Sequence, residues 1–95
     1  MTAAEEVCRA SLTLQNKHGL HARPAHLWVQ TANGYASHLS VRRADGESVD
    51  GKSIMGIMML AAESGAILEV EARGPDCEAQ IRALKELVAS RFGED

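Results

Sequence analysis

Segments that alternate apolar and polar residues take turns with segments that repeat at helical spacing, and this interleaving limits the fold more than any single motif. From Val7 to Leu14, Cys8, Ala10, Leu12 and Leu14 share one face while Arg9, Ser11 and Thr13 share the other, as in a strand buried on one side only. Ser37 to Arg43 points Leu39 and Val41 inward and Ser40 and Arg42 outward. Asp45-Gly46 then predicts a hairpin turn, with Glu47 to Asp50 as a short return strand closed by Asp50-Gly51-Lys52. Ala66 to Ala72 alternates again, Leu68 and Val70 inward, Glu69 and Glu71 outward. Three helical stretches separate or follow these strands. Ala22 to Ala32 carries Ala25, Trp28, Val29 and Ala32 at helical spacing, and Asn33-Gly34 predicts a left-handed stop. Ser53 suits the N-cap of a second helix from Ile54 to Ala62, which Gly65 ends. Gly74-Pro75-Asp76 starts a third, whose apolar stripe is Cys77, Ile81, Leu84 and Val88.

The order is β-α-β-β-α-β-α, with no repeat, linker or low-complexity segment. One-sided strands and amphipathic helices assemble most simply as a four-stranded antiparallel sheet covered by helices on one face, an α+β open-faced β-sandwich. Residues 1–95 suit a single domain, with a core from about 7 to 92. Aliphatic side chains must fill that core, since the chain has one Trp, one Tyr and one Phe. A polar outer sheet face fits a monomer. The same β-α-β-β-α-β order also occurs in ferredoxin-like small-ligand modules, so order alone does not assign function.

The totals exclude several classes. A net charge of −3 and the lack of any Lys/Arg run argue against a nucleic-acid partner. No apolar run approaches the roughly 20 residues of a membrane span. The short acidic start Met1-Thr2-Ala3-Ala4-Glu5-Glu6 is no signal peptide. Cys8 and Cys77 form no metal or disulfide framework, which suits two buried, reduced thiols. The expectation is a soluble, cytoplasmic domain.

Chemistry concentrates in Asn16-Lys17-His18-Gly19-Leu20-His21-Ala22-Arg23-Pro24-Ala25, a strand-to-helix turn. Gly19 permits a tight bend, and Pro24 tolerates the first helical turn because its missing N–H would be unpaired there. Two residues break local rules. His21 stands near the N-cap, where Ser, Thr, Asp or Asn is usual, and Arg23 opposes the helix macrodipole. Free N–H groups, the dipole and a guanidinium fork together make an anion site, and phosphate suits it best. Imidazole is a fitting acceptor, with an ordinary pKa of about 6.5 that leaves much of it neutral near pH 7.

Gly19-Leu20-His21-Ala22-Arg23-Pro24-Ala25 resembles the active-site segment of the histidine-containing phosphocarrier (HPr) family of the bacterial phosphoenolpyruvate:sugar phosphotransferase system. Lys52-Ser53-Ile54-Met55-Gly56-Ile57-Met58-Met59-Leu60 resembles its regulatory serine segment, in the expected order and distance. The resemblance runs from about Val7 to about Val88. It implies a carrier with no cofactor rather than an enzyme. The histidine matching His21 is phosphorylated on Nδ1 by Enzyme I and passes the group to the A components of sugar permeases. The match to Arg23 steadies the phosphate, and Gly19 and Ala22 belong to the phosphate-stabilising turn and helix start. The match to Ser53 is phosphorylated by an HPr kinase/phosphorylase, which couples transport to catabolite control and adds a transcriptional regulator to the expected partners. The matches to Met55 and Met58 form an exposed apolar docking patch, joined by the first helix around Leu27, and Met59 and Leu60 are left for the core. His18 and His26 depart from the family's usual residues.

Other accounts compete. His18, His21 and His26 could gather imidazoles around a metal, but no Cys or carboxylate joins the cluster and a helix start repels a cation. A nitrogen-linked or purely regulatory paralogue would keep the histidine, although the nitrogen branch usually lacks the Ser53 segment. A ferredoxin-like module would bind a small ligand and leave His21 inert. An enzyme with its own turnover fits worst, for the chain has no Walker loop, no cofactor fingerprint and no second acid–base residue paired with His21 in the sequence.

Overall fold

A computed structural model describes residues 6–94; the start of the acidic N-terminal segment and the last residue lie outside them. The elements are β1 (Val7–Thr13), α1 (Ala22–Ala32), β2 (His38–Arg43), β3 (Val49–Asp50), α2 (Ile54–Met59), β4 (Ile67–Arg73) and α3 (Cys77–Ala89), followed by a 3-10 turn at Arg91–Gly93. The strands make one sheet in the order β1-β4-β2-β3, antiparallel at every pairing. The expected open-faced sandwich is the fold.

Register explains the layering. Cys8, Ala72 and Leu39 align across the sheet, as do Ala10, Val70, Val41 and Val49 in the next inward row. The rows between face solvent: Arg9, Glu71, Ser40 and Asp50, then Ser11, Glu69 and Arg42. A one-residue slip would exchange these sets, so the hydrophobic pattern fixes the pairing. The helices cover the inner face with Ala25, Trp28, Ala32, Ile57, Cys77, Ile81, Leu84 and Val88, and Trp28 is the largest side chain that is fully buried.

Several boundaries differ from the sequence pattern. Asn33 is right-handed (φ −73°), and α1 unwinds through tighter bonds, Gly34 N–H to Thr31 O and Tyr35 N–H to Ala32 O. No left-handed stop forms there, because the Asn33 amide instead donates to Val29 O and to Lys52 O. The second helix stops at Met59, not Ala62, and Gly65 does not end it; Gly65 sits in the next turn, its N–H bonded to Leu14 O. The return strand shrinks to two residues. Cys8 is only half-buried, unlike Cys77, and both thiols are free. Met59 is 75% exposed and serves no core, whereas Leu60 does.

One element has no precursor in the sequence pattern. After α3, Arg91, Phe92 and Gly93 take φ of 55°, 57° and 73°. Two are not glycine, and each left-handed L-residue costs roughly 1–2 kcal/mol. Phe92, 4% exposed, offsets this by joining the core, where burying an aromatic ring is worth about 2–3 kcal/mol.

Candidate functional site

The site begins where β1 ends. Leu14 is tied to the start of β4 through its N–H to Ala66 O and its carbonyl to Gly65 N–H. Two residues on, Asn16 is completely buried. Its amide nitrogen donates to Gly19 O at 2.7 Å and to a Glu94 carboxylate oxygen, Oε1, at 2.8 Å. Gly19 has φ +64°, and a Cβ there would lie 2.4 Å from Ala62 O and 2.6 Å from Glu63 Cα. Leu20 N–H then bonds Ala62 O at 2.9 Å, and the Leu20 side chain is buried. The turn is thus wedged against the segment leaving α2.

His21 is the N-cap of α1 with extended backbone (φ −74°, ψ −175°), and its side chain makes no capping bond. Its carbonyl accepts the Ala25 N–H. Pro24 is the third helical residue and has no N–H, so among the described residues the unpaired amides of this helix start are those of Ala22 and Arg23. No acidic residue occupies the first turn. Arg23 is exposed, and its guanidinium makes no ion pair or hydrogen bond among the described residues. The result is a concentration of positive character at the helix start beside one imidazole, with no acidic residue in the first turn to offset it.

That imidazole is 40% exposed, with Nε2 3.2 Å from Glu94 Oε1. The Glu94 carboxyl is held below the usual carboxylate range, first by the Asn16 amide, then by the bond with His21 and the charges of His21 and Arg23, against the opposing effect of burial. The His18 ring meets the His21 ring edge-on at a centroid distance of 5.9 Å. His26 is exposed further along α1. Among the described residues, no three His, Cys, Asp or Glu side chains converge as a metal site.

Ser53 caps α2, its hydroxyl accepting the Gly56 N–H at 3.1 Å. It stands at the end of α2 away from the His21 turn, so the structure does not bring the two together. Between them lies an apolar surface formed by Ile54, Met55, Met58 and Met59, with Met55 71% exposed and Met58 42% exposed. Leu27 is half-buried on α1, which packs against α2. Away from this region, the Cys8 thiol is pushed up to about 11, chiefly by its hydrogen bond with Cys77 and then by burial, so it is no ready nucleophile.

Asn16 and Glu94 are parts of the site that sequence reasoning missed. Asn16 opened the conspicuous stretch but carried no role. Glu94 lies 73 residues from His21, and no local pattern connects them; its contact corrects the expectation that no carboxylate joins the histidines and no acid–base residue pairs with His21.

The family model for the HPr component phosphorylation site of the phosphotransferase system matches residues 8–90. The phosphocarrier protein HPr of Neisseria meningitidis serogroup A is 44% identical over 86 residues, covering 90% of this chain and 96% of that one. The crystal structure of HPr from Thermoanaerobacter tengcongensis superposes with a TM-score of 0.88 at 44% identity, over 93% of this chain and 98% of that one. A second crystal structure from that organism, described as an HPr dimer, gives 0.74 at 47% identity, over 87% and 94%. Fold, site and these likenesses define a phosphocarrier rather than a catalyst. The chain belongs to the HPr family of the phosphotransferase system.

Proposed function

We propose that His21 accepts a phosphoryl group on Nδ1 from phosphorylated Enzyme I in the cytoplasm and passes it to the A components of sugar permeases. The observation that carries this is the half-exposed His21 ring at an uncapped helix start, with Nε2 engaged by Glu94 and no hydrogen bond to Nδ1 among the described residues. In the forward step the Nδ1 lone pair forms a bond to phosphorus while the donor's bond to phosphorus breaks; handing on reverses this. The Ala22 and Arg23 amides and the Arg23 guanidinium stabilise the phosphoryl oxygens without supplying a proton. Gly19 shapes the turn that presents them. Docking uses the turn, Leu27 and the Met55/Met58 face, where unbranched methionines adapt to differently shaped partners.

Ser53 is the proposed regulatory site for an HPr kinase/phosphorylase, with a transcriptional regulator as reader. A phosphate at a helix start is tolerated by the fold, and its charge of roughly −1.5 to −2 would stand next to Ile54 and Met55, opposing docking on an acidic partner.

The test is labelling from phosphoenolpyruvate by purified Enzyme I, read by intact mass before and after mild acid. Wild type is expected to gain one acid-labile phosphate, and His21→Ala none. If a donor that labels a known HPr leaves this chain unlabelled, transport is not its role, and a regulatory paralogue or a ligand module becomes the better account.

A further inference from the structure

The chain does not run off into solvent after α3. Its left-handed turn at Arg91–Gly93, anchored by buried Phe92, carries Glu94 back to the His21 turn. Left-handed non-glycine residues persist where the surrounding structure holds them, and they cluster at functional sites. What this turn delivers is one carboxylate oxygen, shared between Asn16 Nδ2 at 2.8 Å and His21 Nε2 at 3.2 Å. Asn16 is fully buried and spends its amide on Gly19 O and Glu94. One side chain therefore ties the glycine turn, the carboxylate and, through it, the imidazole.

An ionised carboxylate only accepts hydrogen bonds. The contact with Glu94 is a hydrogen bond only when Nε2 carries a proton, and in a neutral imidazole that leaves the lone pair on Nδ1. We propose that Glu94 is a positioning residue that holds His21 in the Nε2–H form, so that Nδ1 is the nitrogen offered to phosphorus. The consequence for transfer rests on the carrier role proposed above. When Nδ1 bonds to phosphorus and the donor's bond breaks, the ring becomes cationic and keeps its Nε2 proton beside the Glu94 charge. No proton has to leave in either direction. Among the described residues, the other ionisable groups near the ring are His18, edge-on to it, and Arg23, whose charge reaches Glu94; neither is bonded to Nε2.

The tautomer is measured directly on unphosphorylated, 15N-labelled full-length protein, from long-range 1H–15N correlations of the His21 ring at a pH where the ring is neutral. Wild type is expected in the Nε2–H form alone. Glu94→Ala is expected to relax toward the mixture of free imidazole and to slow transfer from Enzyme I about three- to tenfold, the size suited to a partly exposed charged contact, while staying folded with a somewhat lower thermal melt, since the buried Asn16 amide loses a partner. Glu94→Gln is expected to keep most of the Nε2–H form, because its carbonyl oxygen can take both bonds, while transferring more slowly than wild type. An Nδ1–H ring in wild type overturns the proposal. So does a Glu94→Ala protein whose tautomer or whose transfer rate is unchanged. Failure of wild type to label would refute the carrier role instead, and the tautomer would still decide whether Glu94 orders the ring.

Discussion

Gly19 is constrained twice, and the two constraints are independent. Its φ of +64° disfavours any side chain, and the space a Cβ needs is filled by the backbone of Ala62 and Glu63, which cannot swing aside like a flexible side chain. Gly19→Ala is therefore expected to lose about 2–4 kcal/mol, the left-handed penalty plus displacement of the segment beyond α2, in urea melts followed by Trp28 fluorescence. A loss under about 0.5 kcal/mol would show that the turn relaxes easily and is not wedged. At this scale the sequence was legible where the chemistry is local. Gly19 marks a bend, Ser53 a cap, and His21 and Arg23 violate helix-start preferences within a few residues of one another. Asn16 and Glu94 were not legible, because their bond spans 78 positions and depends on where a left-handed turn at Phe92 sends the tail.

Among the elements, α2 shows how tertiary contacts overrule propensity. The run Leu60, Ala61, Ala62 suits a helix, which is why the pattern continues to Ala62. The structure takes these residues for other bonds: Leu60 and Ala61 carbonyls lie 3.2 and 3.5 Å from the Arg43 guanidinium, and the Ala62 carbonyl accepts from Leu20. Ala61 consequently turns left-handed at φ 49°, and the helix closes at Met59. The shortened helix turns Met59 outward along with Met55 and Met58, so three methionines face solvent instead of the expected two. Substituting Met55 and Met58 together by Ser removes apolar docking area but little core, since only Ile57 of this helix is buried. The double variant is expected to melt within a few degrees of wild type and to bind Enzyme I at least tenfold more weakly by titration calorimetry, on the scale of two interface side chains. Unchanged affinity would move the docking surface elsewhere.

Across the whole molecule, three carboxylates fasten parts that are distant in sequence, and each is held below the usual carboxylate range. Glu71 is lowered first by its bond with Arg9, joining β4 to the edge strand β1. Asp76 is lowered first by the Ser37 hydroxyl and then by the Ala36 amide, joining the start of α3 to the link between α1 and β2. Glu94 joins the tail to the His21 turn. The β-α-β-β-α-β-α order and the sheet were legible because hydrophobic periodicity dictates them, but these three fastenings were not, since each needs the finished fold to bring its partners together. A group whose pKa is lower folded than unfolded binds its proton more readily in the unfolded chain. Its contribution to stability is therefore complete above the unfolded value, about 4 for a carboxylate, and disappears as pH falls through the folded value. Stability should accordingly be flat from pH 7 down to about 5 and fall steeply below about 4. Urea melts of wild type and Asp76→Asn across pH 3–7 test this. The variant is expected to be less stable than wild type at pH 7 and to converge on it toward pH 3, because the missing carboxylate matters only while it would be ionised. Parallel pH curves would mean that the Asp76 cluster acts by shape alone, and that the acid sensitivity of this fold resides in Glu71 and Glu94.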